Sequence, residues 1–295
     1  MTGGPRCALI GAGNIGTPMA ARLLDRGFDL TVCDRDPARR DALAAMGAAT
    51  TPDAAECAAH DAVLVVVSTE TQLRAVAGDI ASARSGPGPA TRLAIMSTVP
   101  AGTVWEIATT LGGAGIAVVD APVSGGADRA AAGELTIMAG GEAADIAALD
   151  PVFSALATNV IACGGVGAGQ SVKIVNNILC HAIQPLMAEA LRLGLGQGLS
   201  TKVMIRAMEV STGRNWLTAD PALPARLMAA QTADRATHDG IVGILRKDMA
   251  IARDLAHAGD GDYPMIAGVA DLVDGLGDET WDTWRVIAGT GPRKG

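Results

Sequence analysis

CALIGAGNIG, residues Cys7 to Gly16, is a short apolar run followed by three glycines at the spacing GxGxxG. Glycine-rich turns are frequent, so the three glycines alone say little. Their surroundings say more: a strand-like run precedes them, the helical segment GTPMAARLLDRG follows, and a second strand-like run, LTVC, ends at Asp34 about twenty residues on. In that setting Gly11 permits a tight turn, Gly13 lets a pyrophosphate approach the backbone, and Gly16 lets the helix pack closely on the strand. Asn14 and Ile15 complete the loop. The pyrophosphate of a dinucleotide would rest on the unpaired N–H groups at the helix start, where the dipole favours negative charge.

Asp34 bears on which dinucleotide is bound. A carboxylate at that strand end accepts hydrogen bonds from ribose hydroxyls and repels a 2′-phosphate, which favours NAD. Arg35, Arg39 and Arg40 follow at once and leave NADP open, although a solvated helix face is the commoner reason for such a run.

Outward from this stretch, CALI, LTVC, AVLVVV, RLAIM, IAVVD and ELTIMAG alternate with Ala-rich helical segments. The pattern predicts an α/β domain of Rossmann type, with a doubly wound parallel sheet covered by helices on both faces. ARSGPGPATR reads as a loop before the fourth of these strands, and the tail GTGPRKG as frayed. After CGGVGAGQ a long apolar-periodic segment runs from Ser171 to about Leu195, and helical stretches follow without a convincing strand. Pro185 inside that segment should kink the helix or be absorbed locally. The expected division is a dinucleotide-binding domain over 1–164 and an all-α domain over 165–295.

Composition narrows the partners. With 295 residues, 49% hydrophobic and 18% charged, the chain can bury a sizeable core. Its formal charge of -8 and 2% aromatic content argue against a nucleic-acid surface. Cys7, Cys33, Cys57, Cys163 and Cys180 are scattered and odd in number, and neither CxxC nor HExxH occurs. Neither a disulfide framework nor a metal site is expected, and the thiols suit a cytoplasmic protein. No charged and apolar leader is expected before the first strand, and no apolar segment is long and charge-free enough to span a bilayer.

Two further stretches carry candidate chemistry. In DAPVSGG, Asp120 to Gly126, a serine and two glycines follow a strand end. A plain turn is the ordinary account. The functional one is an anion cradle, in which glycine amides and the Ser124 hydroxyl converge on a carboxylate. In GGVGAGQSVKIVNN, Lys173 and Asn177 stand four apart and share a helix face. A lysine there is usually solvated. Set among Val172, Ile174 and Val175, it could instead be partly desolvated and exchange a proton with a substrate hydroxyl that Asn177 orients.

Four motifs, GAGNIGTPMA, DAPVSGG, GGVGAGQSVKIVNN and KDMAIARD, occur in this order across almost the whole chain. In this the sequence resembles the β-hydroxyacid dehydrogenase family, which includes 3-hydroxyisobutyrate dehydrogenases and tartronate semialdehyde reductases. The resemblance implies hydride transfer between NAD or NADP and a small β-hydroxy acid or its semialdehyde. It implies that Ser124, Gly125 and Gly126 hold the substrate carboxylate, that Lys173 is the general acid/base, and that Asn177 orients the substrate. It further implies cofactor contacts from Ser97 and Thr98 in MSTVP and from Lys247, and a homodimer or homotetramer. Asp248 and Asp254 read as structural, capping or pairing. His181, farther along the Lys173 face, reads as a hydrogen-bonded packing histidine or as a cleft residue that tunes the lysine. Arg214 in STGRNW belongs to a helix-terminating loop or faces the substrate's distal end. An imine reductase and a noncatalytic dinucleotide sensor would share this architecture, and the presence of Lys173 favours carbonyl or alcohol chemistry over both.

Overall fold

The computed structural model describes residues 5–84, 91–259 and 261–291. The core of the loop expected before the fourth strand run, 85–90, and the last residues of the tail, 292–295, lie outside the described residues. The chain divides into two compact units, Met1–Lys173 and Ile174–Gly295.

In the first unit the strands are β1 (Cys7–Ile10), β2 (Leu30–Cys33), β3 (Ala49–Thr51), β4 (Ala62–Val65), β5 (Arg92–Ile95), β6 (Ala117–Asp120), β7 (Val123–Ser124), β8 (Leu135–Gly140) and β9 (Ala157–Gly164). Between them run α1 (Gly16–Asp25), α2 (Pro37–Ala44), α3 (Glu70–Ala83), α4 (Ala101–Gly113), α5 (Gly126–Ala132) and α6 (Ala143–Leu156), with a short 3₁₀ turn at Ala54–Ala59. The sheet order is β3-β2-β1-β4-β5-β6-β8-β7, and β9 pairs with β8. All pairings from β3 to β6 are parallel. This 3-2-1-4-5-6 order is that of a doubly wound Rossmann sheet, and it reverses between β1 and β4, where such folds open their ligand crevice.

The sheet is covered on both faces. Cys7 and Leu9 of β1 belong to one core with Met19, Ala20 and Leu23 of α1 and Val152, Phe153 and Leu156 of α6. Ala8 and Ile10 point the other way, into a core with Leu73 and Ile80 of α3 and Val104 and Leu111 of α4. Period-two alternation thus feeds two apolar layers from one strand, and the four residues of β1 are all buried.

Past β6 the expected parallel sheet becomes mixed. β8 runs antiparallel to β6 and β7, and β9 returns parallel to β8. β3, β7 and β9 were not among the strands expected from the sequence. β7 is only two residues long, and most of β9 is exposed or half-buried, so neither carries the alternation that marks a strand.

The helical elements continue with α7 (Ala168–Gly196), whose course includes the boundary between the units, and then α8 (Thr201–Glu209), α9 (Leu223–Gln231), α10 (Arg235–Ala258), α11 (Pro264–Asp274) and α12 (Asp278–Ala288). No strand occurs among the described residues of the second unit. Two apolar clusters hold it together. Ile174 meets Leu245, Met249 and Val273 in one, and Met187 and Leu191 meet Met228 and Trp284 in the other. Helix α7 runs through Pro185 without interruption, so the proline is absorbed. Among the described residues no helix is long and apolar enough to cross a membrane.

Candidate active site

The three glycines of the β1–α1 loop have distinct surroundings. Gly11 has φ +102°, and a Cβ there would come within 2.3 Å of the Val66 carbonyl oxygen. A Cβ on Gly16 would sit 1.9 Å from the Gly11 carbonyl oxygen. Gly13 faces open space instead. The outer two positions therefore close the turn and seat α1, while the middle one leaves backbone accessible, as a pyrophosphate requires. Asn14 is exposed, and Ile15, half-buried, packs on the core beneath the loop.

Asp34 follows β2 and braces this loop. Its Oδ2 accepts from the Ala12 N–H at 2.7 Å and its Oδ1 from the Asp36 N–H at 2.8 Å. Gly11, Gly13, Asp34, Arg35 and Arg39 line a cavity of about 200 Å³. The arginines are unequal. Arg39 lies 3.6 Å from Asp34 Oδ2 and 3.4 Å from Asp36 Oδ2, and Arg40 donates to the backbone carbonyls of Asp34 and Arg35. The Arg35 side chain is exposed, and its guanidinium has no partner among the described residues. Two of the three cations are already committed to carboxylates or backbone. The glycine loop and the carboxylate fit the pyrophosphate and ribose of a dinucleotide.

The loop after β5 is fixed in another way. The Ser97 hydroxyl accepts from Val67 N–H at 2.8 Å and donates to the Val67 carbonyl at 2.7 Å. That side chain ties the loop after β4 to the loop after β5, and Thr98 is its neighbour. Gln170, fully buried in the first turn of α7, donates from Nε2 to the Ser97 carbonyl at 2.8 Å and accepts at Oε1 from Val99 N–H at 3.1 Å. Asp120, at the end of β6, accepts from Gly167 N–H at 2.6 Å and Gln170 N–H at 2.7 Å. These two side chains fasten the start of α7 to the carboxyl ends of β5 and β6. Lys173 stands one turn farther along, and only 8% of it is exposed.

Ser124 ends β7, paired opposite Thr136 of β8. Gly125 and Gly126 follow with φ +140° and +74°, backbone that other residues rarely adopt, and both are exposed. A Cβ on Gly125 would press on the Arg129 and Leu135 side chains, whereas Gly126 faces open space.

In the second unit, Asn177 and His181 continue along α7 at four-residue spacing, and both are buried. Asn176 is exposed. Asn177 Nδ2 donates to Asp248 Oδ2 at 2.7 Å, His181 Nε2 lies 3.1 Å from the same oxygen, and Lys247 Nζ lies 2.7 Å from Asp248 Oδ1. Burial pushes the Asp248 carboxyl up, but the His181 hydrogen bond and the Lys247 charge together outweigh it and hold the pKa below the ordinary value. Asp248 is thus a pairing residue. Arg214 pairs with Glu209 at 3.1 Å in an exposed loop after α8.

Helix α7 buries polar side chains beside its buried apolar ones. Gln170, Lys173, Asn177, His181 and Gln184 form a buried polar stripe, while Leu179, Leu186 and Leu193 are exposed at seven-residue intervals. Each of these buried polar groups needs a hydrogen-bond partner, and Gln170, Asn177, His181 and Gln184 have theirs within the protein. Gln170 and Asp120 had not been singled out in the sequence. Their partners lie 47 to 73 residues away, so no local pattern marks them.

A family model described as the NAD binding domain of 6-phosphogluconate dehydrogenase matches residues 6–165. A second, described as NAD-binding of NADP-dependent 3-hydroxyisobutyrate dehydrogenase, matches 167–285. The 3-hydroxyisobutyrate dehydrogenase of Pseudomonas aeruginosa is 32% identical over 269 residues, 90% of each chain. The chain belongs to the β-hydroxyacid dehydrogenase family. It is an NAD(P)-dependent enzyme of that family, with the family's Rossmann-like sheet followed by helices. Among other β-hydroxyacid dehydrogenases, an NAD-dependent L-serine dehydrogenase of Pseudomonas aeruginosa is 33% identical over 260 residues, 88% of this chain and 87% of that one. The solved 3-hydroxyisobutyrate dehydrogenase of Mycobacterium tuberculosis with L-serine matches at a TM-score of 0.80 and 28% identity, covering 97% of this chain and 99% of that chain.

Proposed function

We propose that this β-hydroxyacid dehydrogenase oxidises a small β-hydroxy acid with NAD, or reduces the corresponding semialdehyde, and that Lys173 is the general acid/base. The observation that carries this reading is Lys173 itself, a buried lysine one turn beyond the residue that pins α7 to the Ser97–Val99 loop. Neutral Lys173 accepts the substrate hydroxyl proton during oxidation, and its ammonium donates a proton to the carbonyl oxygen in the reverse direction. Ser124 and the Gly125 and Gly126 amides hold the substrate carboxylate, and Asn177 orients the reacting oxygen. When bound, the nicotinamide supplies the hydride chemistry. Thr98 and Lys247 are assigned to the cofactor, Thr98 from the loop that Gln170 fixes. Ser97 acts there through its position, because its hydroxyl is engaged with Val67.

The test is a panel of 3-hydroxyisobutyrate, serine, glycerate and threonate with NAD, followed by NADH production. The first two lead because relatives are named for 3-hydroxyisobutyrate and L-serine. No turnover of any of them with either nucleotide would reject the assignment.

NAD is the proposed nucleotide. Asp34 occupies the ribose end, and Arg39 and Arg40 are already engaged, which leaves Arg35 alone to meet a 2′-phosphate. Wild type is expected to show higher kcat/KM with NAD than with NADP, and Asp34→Ser to narrow the gap. A native preference for NADP would overturn the proposal and move attention to Arg35.

For assembly, we propose a homodimer or homotetramer formed through the helical domain. Leu179, Leu186 and Leu193 are between 60% and 71% exposed along α7. A helix face of that apolarity suits the same face of a second copy. Light scattering at micromolar concentration should give at least twice the chain mass; a single-chain mass would count against it. All five cysteines are free thiols, which suits the proposed cytoplasmic location.

A further inference from the structure

His181 is a buried polar residue that the proposed reaction does not use. Only 7% of it is exposed, and Nε2 lies 3.1 Å from Asp248 Oδ2. Nδ1 is buried with no partner among the described residues. The ring therefore makes one contact that matters, and that contact is shared. Asp248 Oδ2 takes Asn177 Nδ2 at 2.7 Å and His181 Nε2 together.

The protonation of this cluster follows from its chemistry. The titratable groups that contact Asp248 are His181 from α7, through a hydrogen bond, and Lys247 from its own helix, and both favour the ionised carboxylate. An ionised carboxylate only accepts, so His181 Nε2 must carry a hydrogen, and Asn177 must turn its NH₂ group to Asp248 rather than its carbonyl. The other end of the amide agrees, since Asn177 Oδ1 accepts from Asn176 Nδ2 at 3.1 Å. Asn177 is thus held in one of its two amide orientations, with one N–H on Asp248 and the second N–H still to be used. Without the His181 donor, Asp248 Oδ2 keeps only Asn177 and the buried carboxylate loses part of what keeps it ionised. Once protonated it can donate to Asn177 Oδ1, and the amide is free to flip.

We propose that His181 is a positioning residue for this enzyme: acting through Asp248, it locks the Asn177 amide so that its remaining N–H is available to the substrate's reacting oxygen. This rests on the assignment of Asn177 as the substrate-orienting residue. His181 holds the group that holds Asn177, and its effect on turnover passes entirely through that amide.

The experiment compares His181→Leu, His181→Gln, Asn177→Ala and the Asn177→Ala/His181→Leu double variant on the best substrate of the panel, with folding checked by thermal melting. His181→Leu removes the donor at similar bulk and should lower kcat about tenfold, the scale of one lost hydrogen bond to a charged group, with KM for NAD within about twofold of wild type. His181→Gln restores an N–H donor at similar reach and should recover most of the loss. In the Asn177→Ala background, His181→Leu should cost nothing further, because the amide it positions is gone. A His181→Leu enzyme with native kcat beside an impaired Asn177→Ala enzyme overturns the positioning role while leaving Asn177 in place. Additive losses in the double variant overturn it too, since His181 would then act by another route. Native turnover in Asn177→Ala would refute the assignment of Asn177, and the role of His181 with it. If His181→Leu does not fold, His181→Gln against His181→Asn decides: the asparagine is too short to reach Asp248 and should behave as the leucine is expected to. Equal activity of those two variants overturns the proposal.

Discussion

Lys173→Ala should lower kcat by about two to four orders of magnitude, the span of lost general acid/base catalysis, while NADH still binds with near-native affinity. The expectation rests on where the lysine is. Residues of α7 before it are tied into the Rossmann-like unit by Asp120 and Gln170, and the glycine loop and Asp34 make their own contacts without it. Removing the amine should therefore leave the dinucleotide cradle intact and remove only proton transfer. Ser124→Ala provides the contrast. One hydrogen bond to a charged carboxylate contributes about 1.5–3 kcal/mol, so that variant should act mainly on KM, with a smaller change in kcat. Isothermal titration with NADH separates cofactor affinity from turnover in both. A Lys173→Ala enzyme with near-native kcat across the panel and across pH would remove lysine from the chemistry and leave His181 as the next ionisable group on that helix face.

The parts of this fold that were legible in the sequence are those whose cause is local. The β1–α1 loop is one, since Gly11 takes a positive φ within the turn itself and Gly16 abuts the Gly11 carbonyl five residues back, although the Val66 carbonyl that also crowds Gly11 is distant in sequence. The relation of Lys173 to Asn177 is another, because four-residue spacing alone puts them on one helix face. The parts that were not legible depend on partners distant in sequence. β9, residues Ala157–Gly164, is held almost wholly by pairing with β8, and its exposed side chains carry no alternation. Asp120 opens DAPVSGG, but in that stretch the serine and glycines are the residues with an obvious use in an anion turn. The aspartate's use became visible only when Gly167 and Gln170 were brought against it. Asp248 is intermediate: the KDMAIARD motif suggested pairing, but not that Asn177 and His181 share one of its oxygens.

Asp120→Ala is expected to lower stability by about 2–4 kcal/mol. It leaves two buried N–H groups, those of Gly167 and Gln170, without acceptors at about 1–3 kcal/mol each, offset in part by relief of a buried charge. The slot around Asp120 cannot easily close. A Cβ on Gly140 would lie 2.5 Å from its Oδ1, and one on Gly169 would lie 2.8 Å from its Oδ2, so β8 and α7 press on the carboxylate from two sides. Alanine leaves a void there with no room for the backbone to rearrange around it. Burial raises the Asp120 pKa above its ordinary 3.8, despite the hydrogen bonds from Gly167 and Gln170 that oppose the rise. The folded state therefore holds this proton more tightly than the unfolded chain, so the carboxyl's contribution is complete below pH 3.8 and declines as pH rises through the folded value. Asp120→Asn cannot ionise, and the stability gap between wild type and that variant should narrow from acid toward neutral pH. Because Lys173 lies one turn beyond Gln170, Asp120→Ala should lower kcat as well, even at temperatures where the variant stays folded. Urea melts at several pH values, read beside turnover, test both halves. An Asp120→Ala enzyme with native stability and native kcat would show that α7 is held to the sheet by other contacts, and Gln170, with its bonds to Ser97 and Val99, would be left as the anchor of α7.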